Sequence, residues 1–149
     1  MNYIIEPTFR SGCSVSTSLD LLGDKWSLLI IRDIFMHRNT FSQFLKDSPE
    51  GIATNILTDR LKKLRAFGVI DFIQKSSDKK IKSFYLTQKG IDLFPVLHSF
   101  HNWSTKHVKF EKHDVVKKTL KSNKGKTDAE IIQSAQEEYM SYRKEEFGF

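Results

Sequence analysis

Apolar positions recur along the chain at helical spacing, broken by short polar or glycine-containing turns. Val15, Leu19 and Leu22 fall on one side of a short helix, Val15–Leu22, which Cys13, Ser14 or Ser16 could cap and Gly23-Asp24 ends. Trp26–Met36 is apolar nearly all round and predicts a buried central helix. Thr40–Lys46 predicts another short helix with Phe41, Phe44 and Leu45 inward, capped by Asn39 or Thr40. Ser48-Pro49-Glu50-Gly51 then reads as a turn. In Ala53–Phe67, Leu57, Leu61 and Leu64 share one narrow face, while Asn55, Asp59, Lys62 and Ala66 lie opposite. Gly68 suits the end of that helix. Two strands follow, Val69–Gln74 and Ile81–Leu86, around a polar tip of Ser76 to Lys80.

Beyond the hairpin, Leu86-Thr87 opens a long amphipathic helix through Leu93, Val96, Leu97, Phe100 and Trp103, with Pro95 placed to kink it. Lys106–Lys126 holds eight lysines, and its structure is ambiguous from pattern alone. A last helix from Asp128 to about Glu146 sets Ile132, Ala135, Tyr139 and Tyr142 at nearly heptad spacing. The predicted fold is mainly α with a small β-hairpin. A short helix, a turn, a half-exposed helix and a basic-tipped hairpin form the layout of a winged helix-turn-helix. Two regions are expected: 1–107 as the DNA-binding domain with its N-terminal helix, and 108–149 as a Lys-rich connector with a C-terminal helix used for dimerisation or packing.

Charge sharpens this picture. The 149 residues carry a net +6. From Thr127 onward six acids face two bases, a net −4, so the preceding residues carry +10. The split suggests a body that meets phosphate and a tail that meets protein. The longest apolar run, Leu28–Ile31, is far short of the roughly 20 residues that span a bilayer. The N-terminus has no signal-peptide pattern, so a cytoplasmic protein without membrane association is expected.

Little points to catalysis. One cysteine, Cys13, excludes an intrachain disulfide and a CxxC metal site. No glycine pattern makes a phosphate-cradling loop. His98, His101, His107 and His113 do not complete a metal shell with convincing spacing. Neither enzyme activity, metal nor cofactor is expected.

The candidate functional residues lie on the half-exposed helix and the hairpin. Asn55 can bond adenine at two atoms, Thr54 and Thr58 can meet a thymine methyl or a phosphate, and Lys62 a phosphate. Thr54 and Asn55 could instead cap the helix. Arg60, at the margin of the buried face, fits phosphate contact or an internal carboxylate equally. Lys79, Lys80 and Lys82 suit the DNA backbone or minor groove. Ser42 and Gln43 are further phosphate candidates. Cys13 lies where a helix begins, with Arg10 nearby, a setting that favours thiolate; it equally suits an inert packing residue. The aromatic stretch of Phe94, Phe100 and Trp103 fits core or dimer interface, or the lining of a ligand pocket.

Cys13, LDLLGDKW (Leu19–Trp26), Arg32, TFSQF (Thr40–Phe44), GIATNILTDRLKKL (Gly51–Leu64), Gly68, FYLTQKG (Phe84–Gly90), PVL (Pro95–Leu97) and Trp103 to His107 together resemble the HxlR-type regulators, relatives of the MarR group. The resemblance runs from Cys13 to His107. It implies a homodimeric winged helix that binds double-stranded DNA at a pseudo-palindromic operator, more often as a repressor, with N- and C-terminal helices forming the dimer interface. Some such regulators use a cysteine equivalent to Cys13 to sense oxidants or electrophiles such as quinones, so a small electrophile or an aromatic effector is a candidate partner. Two departures lie near the expected DNA surface. Thr40 stands where relatives often carry arginine, and Lys79-Lys80-Ile81-Lys82 replaces a Pro/Arg wing. The alternative is a winged helix turned into a protein-interaction module without specific DNA binding.

Overall fold

The computed structural model describes residues 8–75, 77 and 80–149. Its elements run α1 (Ser14–Leu22), α2 (Ser27–Phe35), α3 (Phe41–Lys46), α4 (Thr54–Ala66), β1 (Ile70–Gln74), β2 (Lys82–Leu86), α5 (Gln88–Ile91), α6 (Phe94–His107), α7 (Asp114–Ser122) and α8 (Asp128–Phe147). The chain divides after Ile91 into two compact units. Through the hairpin, the order of elements, the ends of α4 and the strands agree with the sequence pattern to within a residue or two.

In the first unit, α2 supplies Ile30, Ile31 and Ile34 to the core, α3 supplies Phe44, and α4 supplies Leu57, Leu61 and Leu64. Each fully buried leucine contributes about 1.5–3 kcal/mol. The leucine face of α4 is the reason its opposite face stays free. Antiparallel β1 and β2 pair from Ile70 opposite Leu86 to Gln74 opposite Lys82. An isolated bridge between Thr40 and Ser83 ties β2 to the start of α3.

The junction of α4 with the hairpin explains the FYLTQKG segment. Gly68 turns the chain at φ 73°, a conformation that costs a side-chain-bearing residue. The Thr87 hydroxyl then donates to the Gly68 carbonyl at 2.5 Å, and Lys89 Nζ donates to the Phe67 carbonyl at 2.9 Å. Gly90 is required here: a Cβ on it would lie 2.3 Å from the Val69 carbonyl oxygen. The end of α4 and the root of the hairpin are thus locked together.

The expected single helix after Thr87 is instead two, α5 and α6. Pro95 does not kink a helix; it occupies the first turn of α6. There its missing N–H takes no hydrogen bond from the helix, and its fixed φ favours initiation. In the second unit, the ambiguous lysine-rich stretch contains α7. Val115, Val116 and Leu120 lie on one side of it, and Lys117, Lys118 and Lys121 on the other. A capping box between Thr127 and Glu130 opens α8. The expected stripe of α8 holds: Tyr139 is fully buried, and Ile132, Ala135 and Tyr142 are half-buried. His98 on α6 is buried, and its Nε2 donates to Asp128 at the start of α8, 2.8 Å away. No helix among the described residues is long and apolar enough to cross a membrane.

Candidate nucleic-acid interface

The α2–α3–α4 frame is held by carboxylates in fixed positions. Asp24 accepts from the Trp26 and Ser27 backbone N–H groups at 2.9 and 3.0 Å, and from the Ser27 hydroxyl. It also accepts from Arg60 Nε on α4 at 2.9 Å. Partial burial opposes ionisation of Asp24, but hydrogen bonds from Ser27, Trp26 and Arg60 outweigh it and hold the carboxyl at about 2. A second cluster centres on buried Asp33, which pairs with Arg38 at 2.9 Å and Arg32 at 2.8 Å and accepts from the Ser48 hydroxyl. Arg32 also grips Glu50 at 2.5 Å, just before α4. Although burial of Arg32 works against its charge, Glu50 and Asp33 raise its pKa. Arg32 reciprocally lowers the pKa of Glu50, against partial burial. The start and middle of α4 are each anchored to α2 or its leading turn by an arginine–carboxylate pair.

With its leucines buried and Arg60 engaged, α4 presents Thr54, Asn55, Thr58 and Lys62 to solvent. The helix is preceded by Ala53 and has no side-chain cap. Thr54 and Asn55 therefore do not serve as caps. The Asn55 amide and the Lys62 ammonium make no hydrogen bond or ion pair among the described residues. Thr58 donates to the Thr54 carbonyl at 3.0 Å and remains exposed.

Thr58 and Lys62 border a cleft of about 750 Å³ between α3, α4 and the hairpin. Ser42, Lys80 and Lys82 border the same cleft, so five of the expected residues converge around one opening. Lys79, with Ser76 and Asp78, lies outside the described residues. Lys82 extends over the Phe72 ring at 4.6 Å from its centroid. Two cations that the sequence pattern did not single out join the group, Lys46 in the last turn of α3 and Arg65 in the last turn of α4. Their positions, a helix C-terminus in each case, were readable as capping charges but not as site residues.

Gln43 and Arg60 are placed differently. The Gln43 side-chain oxygen accepts from the Asn39 and Thr40 backbone at 2.8 and 3.1 Å, completing a capping box with Thr40. That amide is occupied in starting α3, and Thr40 is spent on the same cap. Arg60 pairs with the carboxylates of Asp24 at 2.9 Å and of Asp59, a partner of the kind its place at the margin of the buried face allowed.

Cys13 is exposed at the N-cap of α1. The guanidinium of nearby Arg10 pairs with Asp20 at 2.6 Å. Phe100 and Trp103 are exposed on α6, and Val15 and Leu19 on α1. No group of three or more His, Cys, Asp or Glu residues able to hold a metal ion occurs among the described residues.

Comparison with known proteins places this geometry. Residues 21–112 match the family model described as HxlR-like helix-turn-helix. The chain is 33% identical over 97 residues to the HTH-type transcriptional regulator MT3179 of Mycobacterium tuberculosis, covering 65% of this chain and 60% of that relative. It is 33% identical over 98 residues to the HTH-type transcriptional regulator sll1512 of Synechocystis, covering 64% and 72%. Among solved structures it resembles PA1607, with a TM-score of 0.62 at 36% identity over 70% of this chain and 72% of that one. It also resembles the redox regulator HypR, with a TM-score of 0.53 at 26% identity over 66% of this chain and all of HypR. The hairpin packed beside α4 is the wing of a winged helix-turn-helix, and the chain belongs to the HxlR-like helix-turn-helix family.

Proposed function

We propose that this protein is a sequence-specific, DNA-binding transcriptional regulator of the cytoplasm that acts as a homodimer, most simply as a repressor. One observation carries the reading: the row Thr54–Asn55–Thr58–Lys62 on α4 is exposed, and its Thr58 and Lys62 share a cleft with a lysine-bearing wing. An α-helix fits the major groove, where Asn55 reads adenine and the threonines meet thymine methyl groups or phosphate. Lys62, Lys80 and Lys82, with Lys46 and Ser42, hold the phosphates on either side. Arg60 and Gln43 act indirectly, by fixing α4 and α3. Selection from a random duplex library by the full chain tests this, since a dimeric reader enriches a pseudo-palindrome with half-sites about 34 Å apart.

The homodimer rests on the exposed apolar side chains of α1 and α6, which water would not otherwise cover at low cost. Cys13 is the candidate redox switch. Its exposure at the start of α1 and the resemblance to HypR support that role, and with one cysteine per chain any disulfide must join two chains or capture a small thiol.

A further inference from the structure

The stretch 106–126 carries charge that the fold does not use. Its eight lysines stand against two acids, Glu111 and Asp114, a net of +6 in 21 residues. None of the eight ammonium groups makes a hydrogen bond or ion pair among the described residues, although α8 in the same unit carries six carboxylates. Helix α7 gathers three of these lysines, Lys117, Lys118 and Lys121, on one exposed side. Lys121 stands at i+4 from Lys117 and i+3 from Lys118, so like charges are neighbours and oppose the helix. With nine residues, adjacent β-branched valines and no side-chain cap, α7 is marginal in water by itself. A row of phosphates removes that opposition and gives the ammonium groups the partner they lack. Lysine suits such a contact, since it is a point charge that holds phosphate without reading a base. The sign of the charge reverses at Thr127, which bounds the basic stretch. The family match ends at residue 112, so α7 and five of the eight lysines lie beyond it.

We propose that residues 106–126 form a second contact with double-stranded DNA, independent of sequence, which holds duplex outside the base pairs met by α4. A lipid surface is the poorer partner: α7 offers it only Val115, Val116 and Leu120 to bury, whereas the charge is dense. Tethered to a winged helix already on the duplex, the segment meets further phosphates at high effective concentration. That tethering rests on the DNA-binding reading above; the phosphate contact itself does not.

The test measures binding of the full chain to a long random duplex across a salt series. The triple variant Lys117→Gln/Lys118→Gln/Lys121→Gln should lower the slope of log affinity against log salt by about 2.7 per chain. Glutamine is a good helix former, so far-UV circular dichroism should show no loss of helix in that variant. Lys124→Gln/Lys126→Gln, beyond the end of α7, should lower the slope in the same direction, and Lys144→Gln on α8 should leave it unchanged. Equal slopes for wild type and the triple variant overturn the contact, and so does an equal fall per charge in Lys144→Gln. Binding to phosphatidylserine vesicles that the triple variant loses, with its DNA slope unchanged, overturns it in favour of a lipid surface. On the selected operator, the wild type should prefer a duplex with random flanks over the bare site, and the triple variant should lose that preference while enriching the same sequence. A lowered slope in a chain that selects no sequence leaves the second contact standing and counts against the regulator reading instead.

Discussion

Arg60 on α4 donates its Nε hydrogen to the Asp24 carboxylate, 2.9 Å away and 36 residues earlier in the chain. The same carboxylate accepts from the first backbone N–H groups of α2, so one side chain fixes the relation of α2 to α4. Arg32–Glu50 does the same at the start of α4. An exposed reading face needs this rigidity, because a base contact is lost when the helix shifts by an ångström or so.

Removing the carboxylate should cost stability and affinity together. Asp24→Ala should lower unfolding free energy by about 1–3 kcal/mol, read by urea titration, because Arg60 and the α2 N–H groups lose their acceptor. The pH dependence has a definite sign. The folded Asp24 carboxyl is held at about 2, below its ordinary value, so its stabilisation is complete above about pH 4 and lost as pH falls toward 2. Asp24→Asn should therefore flatten the acid limb of the stability curve without abolishing it, since Glu50, also held low by Arg32, titrates in the same direction.

Lys62→Ala and Lys82→Ala should weaken DNA binding on all sequences. Each should reduce the slope of log affinity against log salt by about 0.9 per phosphate contact, or about twice that in a dimer. Equal slopes for wild type and both variants would remove these lysines from the phosphate contacts.

Asn55→Ala has a different signature. Discrimination at one base pair per half-site should fall by about 1–3 kcal/mol, while binding to random DNA and its salt slope stay nearly unchanged. Competition binding on single-base operator variants reads this directly.

Cys13→Ser should bind operator as the wild type does and lose any response to diamide or a quinone. An oxidant response that survives the substitution removes Cys13 as the switch, because the chain has no other cysteine.

Much of this was legible in the chain because packing obeys periodicity. Leu57, Leu61 and Leu64 announce the buried face of α4, and Gly68 its end, so Asn55 and Lys62 follow as the free face. What pattern could not decide were choices among polar partners. Arg60 at the face margin was compatible with phosphate or carboxylate, and the approach of Asp24 in space is not visible in the pattern. Gln43 read as a phosphate candidate, although Thr40 and Gln43 stand at the spacing of a capping box, which the structure shows formed. The cleft was not visible either: Phe41 and Leu45 read as inward core residues, yet both are only half-buried and line it. Pro95 read as a kink inside one long helix and instead stands in the first turn of α6. In α7, three lysines stand among only three apolar residues, Val115, Val116 and Leu120, too few to fix a period.

The central claim is that the α4 face reads DNA sequence. Its most direct test is selection of a binding site from a random duplex library by the full chain, followed by affinity measurements on the enriched duplex across a salt series. The account predicts a pseudo-palindrome bound at least about a thousandfold more tightly than random DNA, with affinity falling steeply as salt rises. A library that remains unenriched after repeated rounds, with binding no tighter than to random duplex, would contradict it and turn the same face toward a protein partner.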